Sequence, residues 1–180
     1  MTPLPRSFAA RDTVEVARAL LGQVLVHEVG GVLRAGRIVE TEAYLGPHDL
    51  ACHSSKGRTA RTEVMFGPPG HAYVFLVYGM HHCVNVVTGN GAAVLLRAIE
   101  PLAGLPDDAR GDGPGRLTKL LGITRALDGL PLDARPLFLA RGTRPTSVRA
   151  SARIGVAYAK AWAKKPLRFF DPSSTHVSGP

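Results

Sequence analysis

The period of apolar and polar positions changes several times along the chain, and each change marks an element. Asp12-Thr13-Val14-Glu15 has the form of a helix capping box. An apolar stripe of Val14, Ala17, Leu20 and Leu21 follows at helical spacing, with Gly22 as the stop. Residues 23–29 and 32–44 read as two strands joined across Gly30-Gly31, which predicts a hairpin. Gly46-Pro47 ends the second strand, and residues 48–70 read mostly as loop. The strongest β signal is at residues 72–77, followed by Tyr78-Gly79-Met80, a strand over 82–88, a Gly89-Asn90-Gly91 turn and a strand over 92–99. This is an antiparallel meander, without the long helical crossovers that a parallel sheet needs. Residues 101–114 read as a Gly/Asp/Pro linker and 115–122 as a short basic helix. Residues 137–140, 148–156 and 167–170 read as late strands, with a short helix around 159–163. The prediction is a single α+β domain over residues 1–180, a curved antiparallel sheet with flanking short helices, with 1–11 and 171–180 as flexible termini.

The segment Ile38-Val39-Glu40-Thr41-Glu42-Ala43-Tyr44 departs from an ordinary strand. With a period of two, Ile38, Glu40, Glu42 and Tyr44 share one face, and Val39, Thr41, Ala43 and Leu45 the other. The small and apolar set suits a core, so the acidic set faces either water or a cleft. Acidic residues are depleted in strands, and two of them beside an aromatic ask for a reason. Glu42 is the candidate general base, because a carboxylate against an aromatic wall can have a raised pKa and still hold a water. Glu40 lies about 7 Å along the strand, a spacing that also suits a two-carboxylate glycoside hydrolase of either stereochemical outcome. The pair speaks for hydrolysis at an acetal-like carbon without naming a substrate.

Tyr44, His53, Phe75 and Tyr78 supply flat side chains of the kind that hold a nucleobase taken out of its stack. Tyr73 and Phe75 share a strand face, so at least one of them belongs to the core. Tyr78 sits at a hairpin tip, followed by Met80. It reads either as a wedge for a base stack or as a ring packed over its own hairpin. Cys52-His53 and His81-His82-Cys83 are contiguous, whereas zinc ligand pairs usually leave two to four residues between them, so no metal is expected.

Charge narrows the partner. The net charge is +8, and it is uneven: residues 1–100 hold 9 Lys and Arg against 8 Asp and Glu, residues 101–180 hold 13 against 6. This asymmetry suggests a polyanionic partner, nucleic acid first and an acidic membrane surface second. Two cysteines are too few for a disulfide framework. With no apolar run of membrane-spanning length and no secretory h-region, the chain reads as intracellular, and as cytoplasmic and nucleoid-associated if bacterial.

Several segments, in order, resemble the alkyladenine (3-methyladenine) DNA glycosylase family. They are Gly36-Arg-Ile-Val-Glu-Thr-Glu-Ala-Tyr-Leu-Gly-Pro-His-Asp49, Tyr78-Gly-Met-His-His-Cys-Val-Asn85, Val94-Leu-Leu-Arg-Ala-Ile-Glu-Pro101 and Lys165-Pro-Leu-Arg-Phe169. The similarity runs from about residue 17 to 170. It implies an α+β domain with a protruding β-hairpin that enters the DNA minor groove. It also implies a monomer that acts on damaged purines in double-stranded DNA, with no cofactor and no membrane association. By the same resemblance Glu42 activates water, Arg97 helps to position the flipped nucleotide near that water, and Tyr44, His53 and Phe75 wall the flipped base. Tyr78 would intercalate with Met80 beside it, and Asn85 would crowd the amino group of normal guanine. An alkylated purine already carries positive charge, so it leaves readily and stacks well on electron-rich rings. No lysine lies within these motifs to form a Schiff base, which predicts a monofunctional glycosylase without lyase activity.

Three departures from the family pattern stand out: Phe75 where Tyr is common, His81-His82 in place of bulkier aromatics, and a short stretch at 105–113 carrying Asp107, Asp108 and Asp112. Arg58, Arg61, Arg116, Lys119, Lys164, Lys165 and Arg168 are the candidate phosphate contacts. Two alternatives belong to other classes, a catalytically silent nucleic-acid-binding module and a glycosidase acting on free nucleosides.

Overall fold

Strand pairing organises the chain. The computed structural model describes residues 1–179, and among them eight strands form one curled antiparallel sheet. They are β1 (Val24–Val29), β2 (Val32–Tyr44), β3 (Ala72–Val77), β4 (His81–Gly89), β5 (Ala92–Ala103), β6 (Leu137–Ala140), β7 (Arg149–Ser151) and β8 (Arg168–Phe170). The main order is β3-β4-β5-β2-β1-β6, with β8 pairing both β2 and β7. The fold is the expected single α+β domain. β2 is its spine, with β5 along one edge, β1 on the first half of the other edge and β8 on the second half.

Helix α1 (Thr13–Leu20) begins where expected. The Asp12 carboxylate accepts from the Val14 and Glu15 amides at 2.9 and 3.1 Å. Thr41 Oγ1 donates to the Ala17 carbonyl at 2.9 Å, fastening α1 to β2. Helix α2 (Pro114–Leu121) ends at Gly122, whose φ of +72° is the left-handed conformation of a C-terminal stop. Thr118 Oγ1 donates to the His82 carbonyl at 2.8 Å and docks α2 on β4.

One local irregularity decides which side chains meet. Between β2 and β5 the register slips three times, once between Ala35 and Gly36 and twice near the site, from Ile38↔Ile99 to Glu40↔Ala98 and then to Thr41↔Leu96. Val39 is the extra residue on β2 and Arg97 the extra residue on β5. A strict period of two puts Ile38 with Glu40, Glu42 and Tyr44. The bulge instead sends Ile38 into the main core with Ala43, Leu96 and Ile99, while Glu40, Glu42 and Tyr44 stay together on the other side.

Other differences have similarly local causes. β5 continues past Pro101 to Ala103, because Gly36 and Ala35 still pair with Pro101 and Ala103. The loop after β2 contains two 3-10 turns, His53–Lys56 and Glu63–Phe66. β7 is three residues long where 148–156 suggested nine, since residues 153–156 turn away to meet Asp49 and Glu42. Ala157–Lys164 is a pair of 3-10 turns kinked at Ala159 and Lys160. A few residues of each terminus are tied to the sheet. Leu4 and Ala9 are buried, the Leu4 amide donates to the Leu139 carbonyl, and the Asp171 amide donates to Val39. The Ser178 amide donates to Glu40 at 2.7 Å. Pro180 lies outside the described residues.

Candidate active site

The two carboxylates of β2 are both completely buried, and their partners differ. Glu40 Oε1 accepts from Arg97 Nε at 3.0 Å, Arg168 Nε at 2.6 Å and Ser178 Oγ at 2.9 Å, and its Oε2 accepts from the Ser178 amide. Glu42 Oε2 accepts from the Tyr44 hydroxyl at 2.7 Å, and its Oε1 from the Ile154 amide at 2.7 Å. Arg97 Nη1 stands 3.6 Å from that same Oε1. Burial pushes the Glu42 pKa above its ordinary value, and Arg97, the Ile154 amide and the Tyr44 hydroxyl only partly offset it. Burial, with the Glu42 charge next, raises the Tyr44 phenol well above its ordinary value, so it stays a donor.

In front of Glu42 lies a cavity of about 280 Å³, lined by Tyr44, Arg97 and Ile154 together with His53, Tyr73, Phe75, Cys83, Asn85 and Leu95. Its walls are flat. The His53 ring centroid is 4.5 Å from that of Phe75 at an interplanar angle of 70°, and Tyr73 is 5.3 Å from Phe75. His53 Nδ1 and the Tyr73 hydroxyl share a hydrogen bond of 2.9 Å. Burial, then Arg61 and Lys56, lower the His53 pKa to about 4, so this wall is neutral at pH 7. Asn85 is fixed by its Nδ2, which donates to the Tyr73 carbonyl at 3.0 Å.

The β3–β4 hairpin reaches the mouth of the cavity. Tyr78 and Gly79 have φ of +50° and +67°, and the Met80 amide donates to the Val77 carbonyl at 3.0 Å, within the three-residue connection between the paired Val77 and His81. Left-handed backbone is uncommon for a bulky aromatic. The ring of Tyr78 is not packed back over the hairpin: the residue is 91 % exposed, and Met80 72 %.

The sequence profile of a family described as methylpurine-DNA glycosylase matches residues 7–175. A relative from Myxococcus xanthus is 59 % identical, covering 99 % of this chain and 94 % of its own. One from Legionella pneumophila is 51 % identical, covering 99 % of both chains. One from Methanocella arvoryzae is 49 % identical, covering 99 % and 96 %. All three carry the name "Putative 3-methyladenine DNA glycosylase". The chain belongs to the methylpurine-DNA glycosylase family.

As a DNA glycosylase, a hydrolase of N-glycosyl bonds, the protein has its expected residues in two groups. Arg97, Tyr44, His53, Phe75, Asn85 and Tyr78 line the one cavity, and Glu42 lies one layer behind it, touching the lining residues Tyr44, Ile154 and Arg97. The cationic residues are dispersed. Arg58 pairs with Glu63 at 2.8 Å, and Arg61 lies 5.3 Å from the Phe75 ring centroid. Arg116 shares Asp112 with Arg110, and Lys119 lines an open basic groove with Arg34, Arg110 and Arg116. Lys164 is exposed, and Lys165 Nζ sits 4.3 Å over Trp162. Arg168 is not displayed for phosphate. It is spent on Glu40, Ser151 and the Ser178 carbonyl, because a buried carboxylate on the neighbouring strand needs the cation.

Several site residues were not anticipated from sequence. Arg153 and Asp49 form a buried ion pair beside Tyr44, the Ile154 amide binds Glu42, and Ser178 completes the Glu40 cluster. Tyr158, exposed at the rim, donates to the Ala51 carbonyl at 3.3 Å. Each is far along the chain from its partner, so no local pattern announces it. Among the described residues no three His, Cys, Asp or Glu side chains gather as a metal site, and no helix is long and apolar enough to cross a membrane.

Proposed function

We propose that this glycosylase flips an alkylated or deaminated purine out of duplex DNA into the aromatic cavity and hydrolyses its N-glycosidic bond, leaving an abasic site. The observation that carries this reading is the position of Glu42: a buried carboxylate whose partners Tyr44, Ile154 and Arg97 line a flat-walled cavity, with a raised pKa and one arginine within ion-pair distance. In its ionised form Glu42 takes the proton of the attacking water and stabilises the oxocarbenium-like sugar. Arg97, already aligned by Glu40 at 3.0 Å, keeps Glu42 charged and orients the nucleotide.

Tyr44, His53 and Phe75 sandwich the base, and a neutral His53 avoids repelling a cationic one. Asn85, held in place by Tyr73, crowds the exocyclic amino group of guanine and so rejects the abundant normal base. Tyr78, with Met80 beside it, fills the gap left in the stack. Arg58, Arg61, Arg116, Lys119, Lys164 and Lys165 anchor phosphates, and the enzyme works as a monomer without cofactor.

The test is product analysis with a duplex containing one hypoxanthine. The expected products are free hypoxanthine and an abasic site in an intact strand, with no borohydride-trapped adduct. Absence of release, release only from free inosine, or strand cleavage by the enzyme itself would each overturn a part of the reading: excision, the duplex substrate, or the lack of lyase activity.

A further inference from the structure

One buried cation beside the cavity has no part in the chemistry described so far. The side chains of Arg153 and Asp49 are both wholly buried and joined by two bonds, Nη1 to Oδ2 at 2.6 Å and Nη2 to Oδ1 at 2.9 Å. Such a pair adds little net stability over apolar side chains of the same size, because desolvating two charges offsets their attraction. What it does supply is a fixed geometry, since the planar fork of a guanidinium holds a carboxylate in one orientation.

That geometry is spent on the two ends of the site. Arg153 Nη1 also donates to the carbonyl of Ala43, the residue between Glu42 and Tyr44, at 2.9 Å. Asp49 accepts from the amides of Leu45 and Ala51, each at 3.0 Å. The flat guanidinium lies 4.7 Å from the Tyr44 ring centroid, and among the described residues its Nε has no hydrogen-bond acceptor. The next residue, Ile154, gives its amide to Glu42 at 2.7 Å. Burial works against the Asp49 charge, but the Arg153 bonds and the Leu45 amide hold its pKa below the ordinary value, so the pair stays ionised at neutral pH.

We propose that Arg153, locked by Asp49, is a positioning residue for excision, holding the Ile154 amide on Glu42 and the Tyr44 ring in the cavity wall. This role rests on the excision function proposed above. It differs from that of Arg97, which approaches Glu42 directly from β5. Arg153 makes no hydrogen bond to Glu42 and reaches it through the backbone, through Tyr44 and through its charge. A lysine here would keep the charge and lose the fork, which separates positioning from simple electrostatics.

The charged and titratable groups around Glu42 are few enough to make a pH profile readable. Glu40 and Tyr44 share its strand, Arg97 comes from β5 and Cys83 from β4, Arg168 is its register partner on β8, Arg153 lies behind Tyr44, and His53 stands across the cavity. Tyr158 stands at the rim, and burial raises both its pKa and that of Cys83, the latter to about 11. None of the tyrosines and neither cysteine changes charge in acid, but His53, lowered to about 4, does, so the limb assigned to Glu42 is the one that disappears in Glu42→Gln. Ionised Glu42 is the active form, and activity therefore falls as pH drops through its pKa. Losing the Ile154 amide removes a bond made to the charged form, which raises that pKa and moves the limb to higher pH.

The experiment compares wild-type enzyme with Arg153→Lys and Asp49→Asn in single-turnover excision of hypoxanthine from duplex DNA between pH 4.5 and 9. Melting temperature and affinity for a duplex carrying a tetrahydrofuran abasic analogue are measured alongside. The expected result is a folded Arg153→Lys enzyme that binds this duplex within about threefold of wild type. Its plateau rate falls by about 10–100-fold and its acidic limb moves up by about half a unit to one unit. An unchanged rate and limb, or a rate loss with an unmoved limb, overturns the proposal. Asp49→Asn is read in the same way if the lysine variant does not fold. A third readout needs no variant: in the wild-type protein the Ile154 amide resonance must titrate with the midpoint of the excision limb, and an Ile154 amide indifferent to pH there overturns the proposal. Failure of the wild-type enzyme to excise at all overturns the underlying function instead, which keeps the two outcomes apart.

Discussion

Glu40 and Glu42 sit two residues apart on one strand, face the same side and are equally buried, yet their surroundings differ in kind. Glu40 is saturated: two arginine Nε donors and both donors of Ser178 converge on it. Glu42 has one phenol, one amide and an arginine at 3.6 Å, and it backs onto a cavity. Burial alone therefore does not mark a catalytic carboxylate. On the proposed reading the base is marked by burial with incomplete compensation, which leaves the charged form costly enough to take a proton. Glu40 instead does structural work by aiming Arg97 and tying β8 and the C-terminal residues to β2.

Substituting the saturated carboxylate tests this division with the largest expected effect on the fold. Glu40→Gln removes the anion shared by Arg97 and Arg168, and should cost about 3–5 kcal/mol of stability, seen as a lower denaturation midpoint. The folded fraction should still excise hypoxanthine within about tenfold of wild type. A rate loss as deep as that of a Glu42 variant would make the two carboxylates one functional unit and break the comparison.

A smaller effect is expected at the hairpin tip, far from both carboxylates in role. Tyr78→Ser removes an exposed ring and keeps the same left-handed backbone, so stability should hold within about 0.5 kcal/mol. Affinity for lesion-containing duplex should fall by about tenfold in a fluorescence anisotropy titration. Undiminished affinity would remove the wedge role and leave only the cavity residues to hold the substrate.

How much of this was readable from sequence depends on the range of each interaction. The α1 cap at Asp12, the β1–β2 hairpin and the β3–β4–β5 meander are local, and the apolar pattern predicts all of them. The face occupied by Ile38 is not predictable, because the Val39 bulge adds a residue that a period of two does not contain. Nor is the Arg153–Asp49 pair, whose members lie 104 residues apart. Arg168 shows the converse error. An arginine in a basic segment looks like a phosphate contact until the neighbouring strand brings a buried carboxylate to it. The convergence of Tyr44, His53, Phe75 and Asn85 on one cavity in front of Glu42 follows family resemblance more than any local signal, since β2, β3, β4 and the 48–70 loop each contribute one residue.

The most direct measurement is the pH profile of single-turnover hypoxanthine excision by the wild-type enzyme and by Glu42→Gln, with the melting temperature of each. Glu42 as the base predicts an acidic limb above the ordinary carboxylate range in the wild type. In Glu42→Gln it predicts a loss of about a thousandfold or more at neutral pH, no such limb, and a fold that remains intact. Near-normal excision by a folded Glu42→Gln enzyme, or the same limb in both proteins, would contradict it.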